Sequence, residues 1–399
     1  MEKMKIMLGL FALGFSLITL ASPTEAKWVT VDSKILSQIR PKLNKSAQPL
    51  FSSEGASVVK LTPREIEHLS HVIHHDLHRC GGFIQHDSFK EASEALTSQG
   101  EMHFAKRAIF TDYSVNQQRV ASPMVEQVSE KSLREMILKL SSFHTRYYKS
   151  ETGVQSSQFI RDTWANLSRK RNDVKVELYQ HRGWPQASIV MTITGSENPE
   201  EIVVVGGHAD SIVGMWGGGT ARSPGADDNA SGISTITEVI RILMNSNYKP
   251  KRTVQFMGYA AEEVGLLGSK EIATSYKARS EKVIGVMQLD MTLRKGTKNK
   301  DIVMMADYTN NAQNEFIGRL IDEYVKVPWG YSRCGYGCSD HASWTANGFP
   351  ASIPFESTME DINRSIHTSN DTLESAGGDA SHAAKFAKLA TAFVVELAD

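Results

Sequence analysis

Thr253-Val254-Gln255-Phe256-Met257-Gly258-Tyr259-Ala260-Ala261-Glu262-Glu263-Val264-Gly265 is the stretch from which the fold of this chain is read. The run from Thr253 to Tyr259 has the length and apolar content of a buried strand. Past a strand end the pleat is lost, so Glu262 and Glu263 can both turn into one cleft. Adjacent acids are a weak signal alone, because they also begin solvated helices. Here the pattern recurs. Ile202-Val203-Val204-Val205 is a continuous β-branched run, typical of a central strand, and it empties into Gly206-Gly207-His208-Ala209-Asp210. Val283 to Leu289 is another buried run, and it ends in Asp290.

Working outward, Val174–Tyr179 and Ser188–Thr194 alternate as half-buried strands, and Ile302–Met305 reads as a further core strand. Leu133, Met136, Ile137 and Leu140 mark one helix, and Phe159 to Leu167 a second. Ile233, Ile236, Val239, Ile240 and Leu243 share one side of a third. Strands alternating with helices predict a three-layer α/β domain, with a central mostly parallel or mixed sheet flanked by helices. Ligands of such sheets gather beyond the carboxyl ends of the strands. Asp227 and Asp228 follow the loop Ser223-Pro224-Gly225-Ala226 just ahead of a helix, and His367 lies in a late loop. Two imidazoles and three carboxylates from this set can hold two zinc ions if one carboxylate bridges. Three carboxylates and one hydroxide balance two divalent cations, and a Glu is left over for proton transfer. Asp227 reads as a helix cap or as support for the ligands, with ligation as the alternative. Asp340 and His341 read as capping and packing residues, with metal binding as the alternative. Asp371 caps or turns the loop after His367, and Met304 and Met305 are core.

The chain has 399 residues, 44 basic against 45 acidic, 41% hydrophobic and 22% charged. That is the balance of an ordinary globular protein, and no basic stripe points to nucleic acid. Glu2, Lys3 and Lys5 precede an apolar run from Ile6 to about Ala21, then Thr24 and Ala26 offer small residues. The pattern predicts a signal peptide over 1–26, with an uncleaved membrane anchor as the alternative, and a product that is exported, outside the cell or in a periplasm, with no stable membrane association. Export favours a disulfide between Cys334 and Cys338, which enclose only Gly335-Tyr336-Gly337; two reduced buried cysteines are the alternative. So short a loop removes little chain entropy, so the bond's expected use is to hold up Tyr336.

Residues 27–122 read as a small helical prosegment. Thr62-Pro63-Arg64-Glu65 is a helix start, Ile66, Leu69, Ile73 and Leu77 share a face, and Gly81-Gly82 ends the helix. The polar stretch Asn116–Ser122 is the expected processing linker. The cluster His74-His75-Asp76-Leu77-His78-Arg79-Cys80 reads as a solvated face beside an unpaired cysteine, with blockage of a zinc site as the sharper alternative.

Together these motifs resemble the secreted bacterial leucyl aminopeptidases, a family of co-catalytic two-zinc metallopeptidases. The resemblance rests on His208-Ala209-Asp210, Pro224 to Gly232, Tyr259 to Leu266, Gln288 to Met291, Cys334 to His341 and Ile366-His367-Thr368. It covers about Val125 to the C-terminus and implies a catalytic domain over 123–399, acting as a monomer on peptide or protein N-termini. It also implies roles. Asp228 would bridge two Zn2+, Glu263 and His367 would complete one site, and His208 and Asp290 the other. Glu262 would be the general base toward a zinc-bridging hydroxide, Asp210 would orient His208, and Tyr336 would bond the developing oxyanion. Met291, Ile353, Phe355, Met359, Ile362 and Ile366 would line a pocket for Leu, Phe or Met. Met359 and Ile362 stand where the family often has aromatics, and Trp216-Gly217-Gly218-Gly219, within Ser211 to Ser223, departs from the family's pattern. A metallo-carboxypeptidase, a single-zinc acyltransferase of the same fold and a non-catalytic binding module are the alternatives. A carboxypeptidase would need an arginine such as Arg333 or Arg364 at the pocket.

Overall fold

The computed structural model describes residues 26–42, 48–53, 55–77, 79, 82–102, 110–111, 113–214 and 218–399. The expected signal peptide up to residue 25, His78, Cys80, Trp216 and Gly217 lie outside them.

The N-terminal unit contains β1 (Lys27–Asp32), α1 (Ser33–Ile39), β2 (Phe51–Ser53), β3 (Ala56–Leu61), α2 (Pro63–His71), β4 (Phe83–His86) and α3 (Phe89–Met102). Its strands form an antiparallel sheet in the order β2-β3-β1-β4, so the unit is α+β where helices alone were expected. The period-2 signal is short but present. Val29 and Val31 face α1 and α2, while Trp28 and Val58 face α3. The start of α2 forms as predicted: Thr62 Oγ1 accepts from the Glu65 amide at 3.3 Å and the Glu65 carboxylate accepts from the Thr62 amide at 2.8 Å.

The expected linker is fastened to the larger unit. Asn116 and Gln117 donate their amides to the Glu396 carboxylate at 3.0 and 3.1 Å, and α4 (Gln118–Val125) follows. Phe110, Ala121, Met124 and Val125 pack in the main core, so this unit begins before residue 123.

Its order continues through α5 (Glu130–Ser141), α6 (Glu151–Ser168), β5 (Val174–Tyr179), β6 (Ser188–Ile193), β7 (Asn198–His208), α7 (Ser231–Asn245), β8 (Arg252–Tyr259) and α8 (Leu267–Ala278). It closes with β9 (Lys282–Gln288), β10 (Ile302–Met305), α9 (Asn311–Leu320), β11 (Trp329–Ser332), α10 (His341–Ala346), β12 (Ala351–Ser352), β13 (Pro354–Phe355) and α11 (Ser381–Ala398). The main sheet has the order β12-β9-β7-β8-β6-β5, parallel from β12 to β8 and antiparallel at β6 and β5. A smaller sheet runs β11-β10-β13.

The continuous valine run of β7 is explained by burial on both faces. Val203 and Val205 pack with Ile233 of α7 and Phe393 of α11, while Ile202 and Val204 pack with Ile272 of α8 and Trp344 of α10. Each such aliphatic contributes roughly 1.5–3 kcal/mol when fully buried. The three layers fix β7, β8 and β9 side by side, with their carboxyl ends at one edge.

Candidate metal centre

His208 is the last residue of β7, Glu262 and Glu263 follow the end of β8, and Asp290 follows the end of β9. Parallel strands bring these three exits together. Asp228 arrives from the turn Ala226–Ala230 that precedes α7, and His367 from a loop in which its own φ is +56°. Asp228 divides the group. Its Oδ1 is 2.9 Å from His208 Nε2, which is 3.4 Å from Asp290 Oδ1. Its Oδ2 is 2.9 Å from His367 Nε2, which is 3.1 Å from Glu263 Oε2.

All five side chains are buried, as is Glu262. Among the described residues, the carboxylate oxygens of Glu262, Glu263 and Asp290 and both ring nitrogens of His367 have no hydrogen-bond partner. Buried charge without partners is costly, and atoms this close without aligned hydrogens have their lone pairs aimed at common points. Cations at those points would satisfy both, so the residues fit a metal. Ligand atoms of His208, Asp228 and Glu263 all lie within 4.8 Å of one another, and so do those of His74, Glu263 and His367.

The electrostatics follow from crowding. Burial works against a charged His208, but Asp290 and Glu262 overcome it and hold its pKa well above 6.5. His367 is likewise buried yet raised to about 10, chiefly by Glu263 and Asp228. Burial pushes Glu262 well above 4.5, with Asp340, Glu263 and Asp290 adding to it and His208 opposing. Burial and Asp228 raise Glu263 to about 7. Asp228 is driven the other way: burial would raise it, but the two imidazoles beside it outweigh that and keep it well below 3.8. His74 is buried beside His367 and falls well below 6.5, burial being the main cause.

A buried scaffold aims the cluster. The carboxylate of Asp210, the residue expected to orient His208, accepts the amides of Glu262 at 3.1 Å and Glu263 at 3.3 Å, while its carbonyl lies 3.2 Å from His208 Nδ1. Asp371 accepts the amides of Asp227 and Asp228, each at 3.1 Å. Asn229 ties this turn to the Asp290 loop by donating to Leu289 O at 3.0 Å and accepting from the Met291 amide at 3.2 Å. Gly232 permits the approach, since a Cβ there would sit 2.2 Å from Leu289 O. Arg146, fully buried, donates to the carbonyls of Ala209, Pro224 and Gly225. Burial raises Asp227 to about 6 and Glu356 well above 4.5, the contact between the two carboxyls lowering the first and raising the second. Asp227 also accepts from Asn363 at 2.8 Å. Asp227 was read as a helix cap or as support for the ligands, whereas Glu356, Asn363 and Arg146 were not singled out.

Met291, Ile353, Phe355, Ile362 and Ile366 form one buried apolar cluster with Met359 against it. It adjoins the centre through the bonds Asp290–Met291 and Ile366–His367. Val303 and Met305 belong to it too. Met304 and Met305 were expected as core, and both are buried; β10 alternates, sending Met304 to the main core and Met305 here. Cys334 and Cys338 are bonded, with Cα atoms 6.4 Å apart. Tyr336 between them is buried, with the Arg79 guanidinium 5.6 Å from its ring centre. Asp340 precedes α10 but makes no side-chain cap; it accepts from Gln288 at 2.9 Å and burial raises it to about 7. Arg333 faces Asp307 at 3.7 Å and is mostly exposed, and Arg364 is exposed.

The sharpest departure concerns His74. It was placed on a solvated face, yet it is buried, with its ring centre 4.1 Å from that of His367.

A crowd of buried carboxylates interleaved with imidazoles defines a metal-dependent class of protein. Residues 188–394 match Peptidase family M28. A probable aminopeptidase of Saccharomyces cerevisiae is 34% identical over 71% of this chain and 77% of its own length. Leucine aminopeptidase 1 of Uncinocarpus reesii is 38% identical over 71% and 74%. Among solved structures, LapB of Legionella pneumophila superposes with a TM-score of 0.77 at 29% identity, covering 94% of this chain and 100% of its own. The chain belongs to peptidase family M28, and its centre is that of a hydrolytic exopeptidase.

Proposed function

We propose that this chain is a secreted aminopeptidase that uses two zinc ions to hydrolyse the first peptide bond of substrates beginning with Leu, Phe or Met. The observation that carries this is Asp228, one carboxylate set between two buried imidazole–carboxylate pairs. His208 and Asp290 would hold one ion, Glu263 and His367 the other, with Asp228 shared; mixed imidazole and carboxylate ligands suit zinc. Bound there, the cations supply Lewis acidity and a nucleophile at neutral pH.

The chain's own residues do the rest. Glu262 is buried, its pKa is raised, and its oxygens have no other partner among the described residues, so it can take a proton and deliver it to the leaving amine. Asp210 holds the backbone of both glutamates and so fixes where that proton is taken. Tyr336 is the proposed donor to the developing oxyanion. The Met291–Ile366 cluster would receive the first side chain, and its lack of charge favours aliphatic and aromatic residues. Export rests on the N-terminal pattern, and the Cys334–Cys338 bond supports an oxidising destination.

Comparing leucine p-nitroanilide with its N-acetylated form tests the assignment. Hydrolysis of the free amine and failure on the blocked one is expected. Equal rates on both would remove the aminopeptidase reading.

A further inference from the structure

We propose that His74 is itself a ligand to the cation held by Glu263 and His367, so that the N-terminal unit closes the centre on which it lies. This rests on the two-ion reading above and deepens it.

The geometry is specific. His74 Nε2 is 3.8 Å from Glu263 Oε2, and the ligand atoms of His74, Glu263 and His367 lie within 4.8 Å of one another. The hydrogen bonds assign the tautomer. Ser70 Oγ donates to the Glu263 carbonyl at 3.4 Å, so it accepts from His74 Nδ1–H at 3.2 Å. That leaves the Nε2 lone pair free to ligate, and among the described residues it has no hydrogen-bond partner. His74 stands in a π-type turn, Val72–Asp76, that extends α2. Such widened turns occur often at functional sites.

The rest of the unit holds this imidazole in place. Gln85 Nε2 donates to Val264 O at 2.8 Å, and Lys270 Nζ donates to Gln85 O at 2.7 Å and pairs with Glu91 at 2.6 Å. Phe83 comes so near that a Cβ on Gly265, where φ is +106°, would meet it at 2.8 Å. Ile84 packs on Leu266 and Ala342. The unit therefore grips the segment that follows Glu263.

Coordination arithmetic supplies the consequence. Asp228, Glu263 and His367 are three protein ligands, which leaves the fourth position for the bridging hydroxide, as in catalytic zinc. His74 makes four, the closed tetrahedral set of structural zinc. With the unit docked, the bridging hydroxide is displaced from that ion and the substrate amine has no place on it, so the full chain is latent and the unit must leave before turnover.

The test is zinc X-ray absorption on the full chain loaded with two zinc equivalents, in wild type, His74→Phe and His74→Gln. Phe keeps a ring against His367 and Gln keeps a polar group beside Ser70; circular dichroism confirms folding. Wild type should show three imidazoles per two zinc ions and both variants two. His74→Ala, with the position opened, should cleave leucine p-nitroanilide on the order of tenfold faster than the wild-type full chain, because turnover scales with the open fraction. Two bound zinc ions with the same imidazole count in wild type and variants would overturn this inference alone. A chain that binds no zinc would overturn the two-ion reading and this inference together.

Discussion

Replacing Asp371 by Asn perturbs the centre without touching a proposed ligand. The Asp371 carboxylate is buried and accepts two backbone amides, Asp227 N on Oδ1 and Asp228 N on Oδ2, both at 3.1 Å. An amide side chain of the same shape keeps one acceptor oxygen and turns its NH2 toward the other N–H. One buried donor is left unmatched, which costs about 1–3 kcal/mol. The turn can relieve this by tilting, and Asp228, the residue between the two imidazoles, tilts with it. Loss of such a supporting bond typically weakens metal affinity ~10–100-fold. Zinc affinity measured by chelator competition, with thermal unfolding of the metal-free protein alongside, reads both effects. An affinity within about twofold of wild type, with unchanged unfolding, would refute the claim that Asp371 positions Asp228.

Further outcomes follow from the same structure. Glu262→Gln should leave zinc content unchanged and lower kcat ~10²–10⁴-fold, measured on leucine p-nitroanilide. Ile353→Phe should shrink the apolar cluster and lower kcat/KM for leucyl substrates by about tenfold relative to alanyl ones. Burial tends to raise the pKa of Glu91, but its bonds to His86 and Lys270 outweigh that and bring it from 4.5 to about 2. A depressed carboxylate stabilises the docked state fully above its ordinary pKa and loses that contribution as pH falls through the folded value. Acidification from about pH 5 toward about pH 2 should therefore loosen the N-terminal unit, seen as faster limited proteolysis, and Glu91→Gln should flatten the dependence.

The catalytic fold was legible because its signals are local. The run Ile202–Val205 buries both faces and so cannot alternate, and the residues emerging from β7, β8 and β9 meet because those strands are parallel. The six apolar positions grouped by resemblance do share one cluster, and Met304 and Met305 are buried core residues as read, although a four-residue strand gives too few alternations to fix which face each takes. The sheet of the N-terminal unit was missed for a similar reason: its strands are three to six residues long. His74 was misread because what buries it is far away in sequence. Ser70 and His74 do flank the stripe Ile66, Leu69 and Ile73 at helical spacing, but Glu263 is 193 residues beyond Ser70. The Asp227–Glu356 and Asp371 contacts are equally long-range, and no periodicity encodes them.

Zinc per chain, set against activity before and after chelation, bears most directly on the central claim. Native protein freed of its N-terminal unit should carry two zinc ions, lose hydrolysis of leucine p-nitroanilide when both are removed, and regain it when both return. Full activity in protein shown to hold no metal would contradict the account.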